Sequence, residues 1–151
     1  MEIKNGIDYI PHVIQLISEY TQTLNRDLTF QDLEAELADP AKKYSGSEGE
    51  ILIAFQDDDA IGMVAYHRHS DVRCEMKRLY VKPSARGMGL GDNLVEDIIE
   101  HAKAAGYKEM VLDTLTPMQE AIHLYKKHGF EECEPYYENP MNDVVYMRKE
   151  L

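Results

Sequence analysis

The stretch Arg86-Gly87-Met88-Gly89-Leu90-Gly91 can do chemistry largely with its backbone. Glycines at 87, 89 and 91 let the chain approach a ligand closely and aim successive N–H groups at it. A helix opening directly after them adds the positive end of its dipole, and Arg86 adds a formal charge. Such a segment is suited to a phosphate. The competing reading is a tight turn before a helix. Two other phosphate loops are excluded by spacing. No lysine follows as a Walker A loop requires, and the third glycine of a dinucleotide fingerprint would fall at Asp92. The preceding strand is also too polar for the buried first strand of a dinucleotide fold.

The elements that must position this loop follow from the hydrophobic pattern. Asp8 can cap a helix with apolar residues at Ile10, Val13, Ile14, Ile17 and Leu24, with Pro11 in its first turn. Thr29 and Asp32 resemble a capping box for a second helix with Phe30, Leu33 and Leu37 on one face, stopping near Asp39-Pro40. Residues 45–49 read as loop. Strands are expected at 50–56, 61–69 and 73–81, with a turn at Asp57-Asp58-Asp59. Leu94, Val95, Ile98, Ile99 and Ala102 mark a helix face ended by Gly106. A strand at 108–114 follows. Thr116, Pro117 and Gln119 would start a further helix that Gly129 ends, and strands at 130–137 and 143–148 close the chain. Early hairpins followed by strand–helix–strand units imply a mixed α/β sheet covered by helices.

At this point the sequence resembles the GNAT acetyltransferase superfamily. The resemblance rests on the strand Leu79-Tyr80-Val81, then Pro83, then Arg86-x-x-Gly89-x-Gly91 opening a helix. It is reinforced by Ala121-Ile122-x-Leu124-Tyr125-x-Lys127-x-Gly129-Phe130. It covers roughly residues 50–148, and the first helices carry no diagnostic motif. The resemblance implies a GNAT-like fold, a central, mostly antiparallel mixed sheet flanked by helices, with a splayed strand pair holding acetyl-coenzyme A. It implies that Arg86, Gly87, Met88, Gly89, Leu90 and Gly91 bind the pyrophosphate. Backbone groups of Leu79, Tyr80 and Val81 would hold the pantetheine arm, and Lys127 belongs to the same cofactor site. Met118 is a departure: many members carry an asparagine there, seven residues before Tyr125.

Acetyl transfer leaves coenzyme A as a thiolate, and the resemblance makes Tyr125 the general acid that protonates it. The bland alternative is a core aromatic. Glu75 is the candidate base for the incoming amine, against an exposed residue paired with Lys77 or Arg73. His67 and His69 are rivals for that role. Their alternation would also suit a metal pair, but no third ligand stands at evident spacing and no metal is expected. Cys74 and Cys133 lack neighbours that would activate them, Arg73 beside Cys74 excepted, so direct transfer in a ternary complex is expected. Tyr136 and Tyr137 are candidates for the acceptor pocket.

Composition narrows the setting. The 151 residues suit one acetyltransferase domain, 1–151, and a chain of this length buries roughly 70% of its unfolded surface. A net charge of −12 argues against nucleic-acid binding. Lys77, Arg78, Lys82 and Arg86 run against that trend and suggest a small anionic ligand, or a solvated strand end. No apolar run reaches membrane length and no signal peptide is evident, so no membrane is expected. Two separated cysteines fit a reducing cytoplasm. The reading is an N-acetyltransferase using acetyl-CoA as cosubstrate on a small-molecule amine; a homodimer is compatible with it. Its alternatives are a protein or peptide acetyltransferase and a non-catalytic acyl-CoA sensor.

Overall fold

The computed structural model describes residues 1–26 and 32–151. Its strands are β1 (Glu2–Asn5), β2 (Gly49–Gln56), β3 (Asp59–Arg68), β4 (Arg73–Val81), β5 (Glu109–Leu115), β6 (Glu131–Glu132) and β7 (Val144–Glu150). Its helices are α1 (Ile10–Leu24), α2 (Leu33–Ala38), α3 (Pro40–Lys43), α4 (Leu90–Ala104) and α5 (Gln119–Lys127). The strands form one sheet in the order β1-β2-β3-β4-β5-β7-β6. Every neighbouring pair is antiparallel except β4–β5, which is parallel. This is the mixed, mostly antiparallel sheet flanked by helices that the pattern implied.

The sheet separates two apolar layers. On one face α4 buries Leu94, Val95, Ile98, Ile99 and Ala102, the face expected from their spacing, together with Leu90, and Tyr125 and Phe130 join that cluster. On the other, α1 packs Val13, Leu16 and Ile17 against Ile51, Ile53 and Met63. Ile10, Ile14 and Leu24 are only half-buried and contribute less than the sequence suggested, and Leu16 contributes more. Gly106 ends α4 at φ +98°, a conformation that favours glycine.

Several local expectations are corrected. Asp8 does not cap α1. A short 3₁₀ turn, Gly6–Tyr9, precedes the helix, and Asn5 Oδ1 accepts from the Ile7 N–H at 2.9 Å to start it. Thr116 does not cap α5, which begins at Gln119; the Gln119 amide instead donates back to the Thr116 carbonyl. The strand expected at 130–137 pairs only at Glu131 and Glu132, because the chain then leaves the sheet edge to cross over it. β1 and α3 were not expected. The proposed capping box at Thr29 and the stripe through Phe30 lie outside the described residues.

Candidate active site

The centre of the site is a gap in the sheet. β4 and β5 share ladder pairs only from Arg73–Glu109 to Glu75–Val111. Both strands continue for several residues beyond, without pairing to each other. The cause lies in the β3–β4 ladder, where Met63 faces Tyr80 and Ala65 faces Lys77. Val64 is thus opposed by both Arg78 and Leu79, a bulge that bends β4 away from β5. Arg78 takes a left-handed φ of +61°, which costs roughly 1–2 kcal/mol for a residue with a Cβ. Its guanidinium is buried and bonds both carboxylate oxygens of Glu36 on α2, at 2.8 and 3.1 Å. The bulge is therefore anchored by an ion pair to the helix layer.

Past the end of β4 the glycine segment lines a cleft of about 720 Å³. Gly87 and Gly89 have φ +84° and +76°, and a Cβ at either would meet no protein atom within 4 Å. The glycines are needed for their backbone conformation, and the space beside that backbone is open. At Gly91 the reason differs: a Cβ would come within 3.2 Å of Leu124 on α5. Arg86 is exposed at the mouth and donates Nε to the Val81 carbonyl at 3.1 Å. Lys127 lines the far wall and pairs with Asp92 at 3.0 Å. Leu79, Tyr80, Val81 and Leu90 also line this cleft. Met88 does not line it; its side chain is exposed.

The cleft runs into the gap between β4 and β5, and Tyr20, Leu79 and Met118 line both. Within the gap is a small cavity of about 60 Å³. Tyr125 lines it from α5, buried and edge-on to Phe130 with ring centroids 5.9 Å apart. Burial pushes the Tyr125 phenol up, so it holds its proton at neutral pH. Met118 sits at the junction and takes a weak contact from the Thr114 hydroxyl at 3.8 Å.

Glu75 is separated from Tyr125. Its carboxylate lines a neighbouring cavity of about 250 Å³ with His67, His69, Lys77, Tyr136 and Tyr137. His67 Nε2 is 2.7 Å from one oxygen, and the Tyr136 hydroxyl donates to the other at 2.5 Å. Lys77 Nζ stands 3.7 Å away. Burial pushes the Glu75 carboxyl up. The His67 hydrogen bond, the Lys77 charge and the Tyr136 hydroxyl outweigh this and hold it at about 2. His69 packs edge-on against Tyr136 at 5.7 Å.

Asp113, which sequence reasoning passed over, lines the gap cavity together with Tyr125. The Tyr137 hydroxyl donates to its Oδ2, and the Asn139 amide lies 3.4 Å from the same atom. Burial pushes the Asp113 carboxyl up, against the Tyr137 hydrogen bond and the Lys77 charge. The available signal was a carboxylate interrupting the apolar run Met110-Val111-Leu112. Residues 133–143 cross this side of the sheet and are fastened by Tyr136 to Glu75 and by Tyr137 to Asp113. A fork of bonds from Arg26 to Asp143, at 2.9 and 2.8 Å, secures the end of the segment.

The basic patch read from the sequence does not exist as a patch. Arg78 and Lys77 are turned inward and held by Glu36 and Glu75, and Lys82 lies 3.9 Å from Glu19. Only Arg86 remains at the cleft. Cys74 is buried, and burial pushes its thiol up to about 12; burial raises Cys133 as well. Neither is an activated nucleophile.

Comparison with known proteins agrees with this geometry. The profile described as Acetyltransferase (GNAT) family matches residues 13–130. An uncharacterized N-acetyltransferase of Schizosaccharomyces pombe is 48% identical over 138 residues, 90% of this chain and 85% of that protein. Among solved structures, a GNAT family acetyltransferase from Staphylococcus aureus superposes with a TM-score of 0.82 at 18% identity, covering 99% of this chain and 98% of that one, a likeness of fold. A GNAT family acetyltransferase from Elizabethkingia anophelis with acetyl-CoA bound gives 0.62 at 26% identity, covering 77% of this chain and 82% of that one.

Proposed function

The chain belongs to the GNAT acetyltransferase family, a family of acyltransferases, and we propose that it moves an acetyl group from acetyl-CoA directly to the amine of a small molecule. The observation that carries this is the continuity of the glycine cleft with the gap between β4 and β5, which has Tyr125 in its wall. The cleft's open glycine backbone before α4, with Arg86 beside it, suits a pyrophosphate. The edge of β4 at Leu79, Tyr80 and Val81, free of a β5 partner, suits an amide-bearing arm lying alongside it as a strand would. That arm carries the thioester into the gap. The relative with acetyl-CoA bound supports the same donor.

In this reading the acceptor nitrogen attacks the thioester carbonyl, the carbon–sulfur bond breaks, and Tyr125 gives its proton to the departing thiolate. A phenol kept protonated by burial is suited to that step. The raised Cys74 and Cys133 thiols favour direct transfer over an acetylated enzyme. Glu75 reaches the amine only by exchanging His67 or Tyr136, or by relaying a proton through them. A small acceptor is favoured because residues 133–143, held by Tyr136, Tyr137 and Asp143, narrow the side from which an extended peptide would approach.

The test is an acyl-transfer assay on the full chain: acetyl-CoA with panels of small primary amines and of peptides, following free thiol and product mass. Acetylated amines with thiol released one for one are the expected result. Transfer only to peptides, or tight CoA binding without any transfer, would contradict it.

A further inference from the structure

Three buried or half-buried carboxylates, Glu36 on α2, Glu75 on β4 and Asp113 on β5, lie around the gap or the residues that shape it, and they are not equivalent. Glu36 is paired with Arg78 and Lys43, and Glu75 with His67 and Lys77. Asp113 has no cation within salt-bridge distance among the described residues, and residues 27–31 contain no Lys, Arg or His. Its only hydrogen-bonding partners there are the neutral hydroxyl of Tyr137 and the neutral amide of Asn139. Lys77 and Arg78 act on it only from beyond salt-bridge distance and are already paired with Glu75 and Glu36. A half-buried ion without a direct countercharge is costly, and such sites persist where a ligand supplies the charge. Asp113 also shares its cavity with Tyr125, so an ammonium held there lies beside the proton donor for the leaving sulfur.

We propose that Asp113 receives the ammonium of the acceptor and takes its proton, and that the acceptor is a monoamine on an apolar body. This rests on the acyl-transfer reading above. The apolar body is inferred from Tyr20, Leu24, Leu79, Leu115, Met118 and Met141, which share the lining with the polar Lys77, Arg78, Thr114 and Asn139. The cations in the wall, Lys77 and Arg78, already face Glu75 and Glu36, which disfavours an acceptor carboxylate, and the cavity wall holds no carboxylate besides Asp113 among the described residues for a second ammonium. The protons balance: two leave the nitrogen as the amide forms. One is released to solvent by way of Asp113, and the other offsets the proton that Tyr125 gives to sulfur. Tyr137 is a positioning residue, orienting the carboxylate through its hydroxyl.

The experiment compares the full chain with Asp113→Asn and Tyr137→Phe, using acetyl-CoA with alkyl and arylalkyl monoamines, a linear diamine and amino acids of matching side chain. CoA affinity is read by calorimetry and kcat/KM across pH. The groups facing Asp113 are Glu75, Lys77 and Arg78 on β4, Tyr20 on α1, Tyr125 on α5, Tyr146 on β7, and Tyr136, Tyr137 and Asn139 on the crossing segment. The parent should prefer monoamines to diamines and amino acids by at least about tenfold, a discrimination within reach of one uncompensated charge. Asp113→Asn should lose about 10²–10⁴-fold in kcat/KM, the usual share of a general base, with CoA affinity unchanged. Its residual rate should track the unprotonated fraction of the amine. Tyr137→Phe removes a donor to the carboxylate, so the acid limb of its profile should move to higher pH. Retention of the parent's rate and pH profile by Asp113→Asn overturns this proposal alone. A preference for amino acids or diamines overturns the acceptor class. Absence of both CoA binding and transfer in the parent overturns the acyl-transfer reading and this proposal with it.

Discussion

The Arg78 guanidinium closes a two-pronged bond on Glu36 inside the protein, and Arg78 is also the bulge residue that turns β4 away from β5. One ion pair thus connects the α2 layer to the opening in which the chemistry is placed. Arg78→Ala leaves Glu36 buried with only Lys43 for compensation. Stability should fall by about 3–5 kcal/mol, measurable by urea unfolding. Replacing both residues by apolar ones should cost less than Arg78→Ala alone, since no charge is left stranded.

Acid should weaken the fold through two carboxylates. Glu36 and Glu75 are each held at about 2 against an ordinary value of 4.5. A carboxyl depressed on folding stabilises the protein above its unfolded value, and that contribution disappears as pH falls from 4.5 toward 2. Each is worth on the order of 3 kcal/mol at neutral pH. Glu75→Gln should therefore be less stable than the parent at pH 7 and lose less stability between pH 5 and pH 3. Denaturant melts at those pH values check it.

Asp113 has the opposite sign. Burial raises its carboxyl, so its ionised form weighs against the folded state at neutral pH, and the penalty vanishes below the unfolded value. Asp113→Asn should raise the melting temperature at pH 7 and have a smaller effect near pH 3, even as activity falls. A stability gain joined to an activity loss is the expected signature of a functional charge.

At the cleft, Arg86→Ala should weaken CoA binding by roughly ten- to a hundredfold, the worth of one charge-assisted hydrogen bond. Gly89→Ala has room for its methyl group but not the preferred backbone, with φ at +76°. It should cost about 1 kcal/mol of stability and weaken CoA binding further than that strain alone explains. Calorimetry on folded variants measures both.

The parts legible in the sequence were those fixed by local pattern. The periodicity of Leu94, Val95, Ile98, Ile99 and Ala102 is the buried face of α4, and the alternation in 73–81 is β4. The glycine loop carries its own conformational requirement, so its place between strand and helix could be read directly. What depends on distant partners could not. Lys77 and Arg78 read as an exposed basic patch because their acceptors, Glu75 and Glu36, are recruited by tertiary packing. Residues 133–137 read as strand because Tyr136 and Tyr137 favour one, yet their hydroxyls are drawn across the sheet by Glu75 and Asp113. Asp113 gives no signal of a role in the sequence beyond its place in a strand, because only the separation of β4 from β5 gives it a cavity to face.

The central claim, that acetyl transfer takes place in the gap with Tyr125 protonating the leaving sulfur, is tested most directly by Tyr125→Phe. The substitution keeps the ring and its contact with Phe130 and removes the hydroxyl proton. The measurement is single-turnover acetyl transfer alongside acetyl-CoA affinity in parent and variant. The account predicts a transfer rate lower by about 10²-fold or more with CoA affinity changed less than about threefold, because the hydroxyl acts as the thiolate forms. A variant that binds acetyl-CoA normally and transfers at the parent's rate would contradict it.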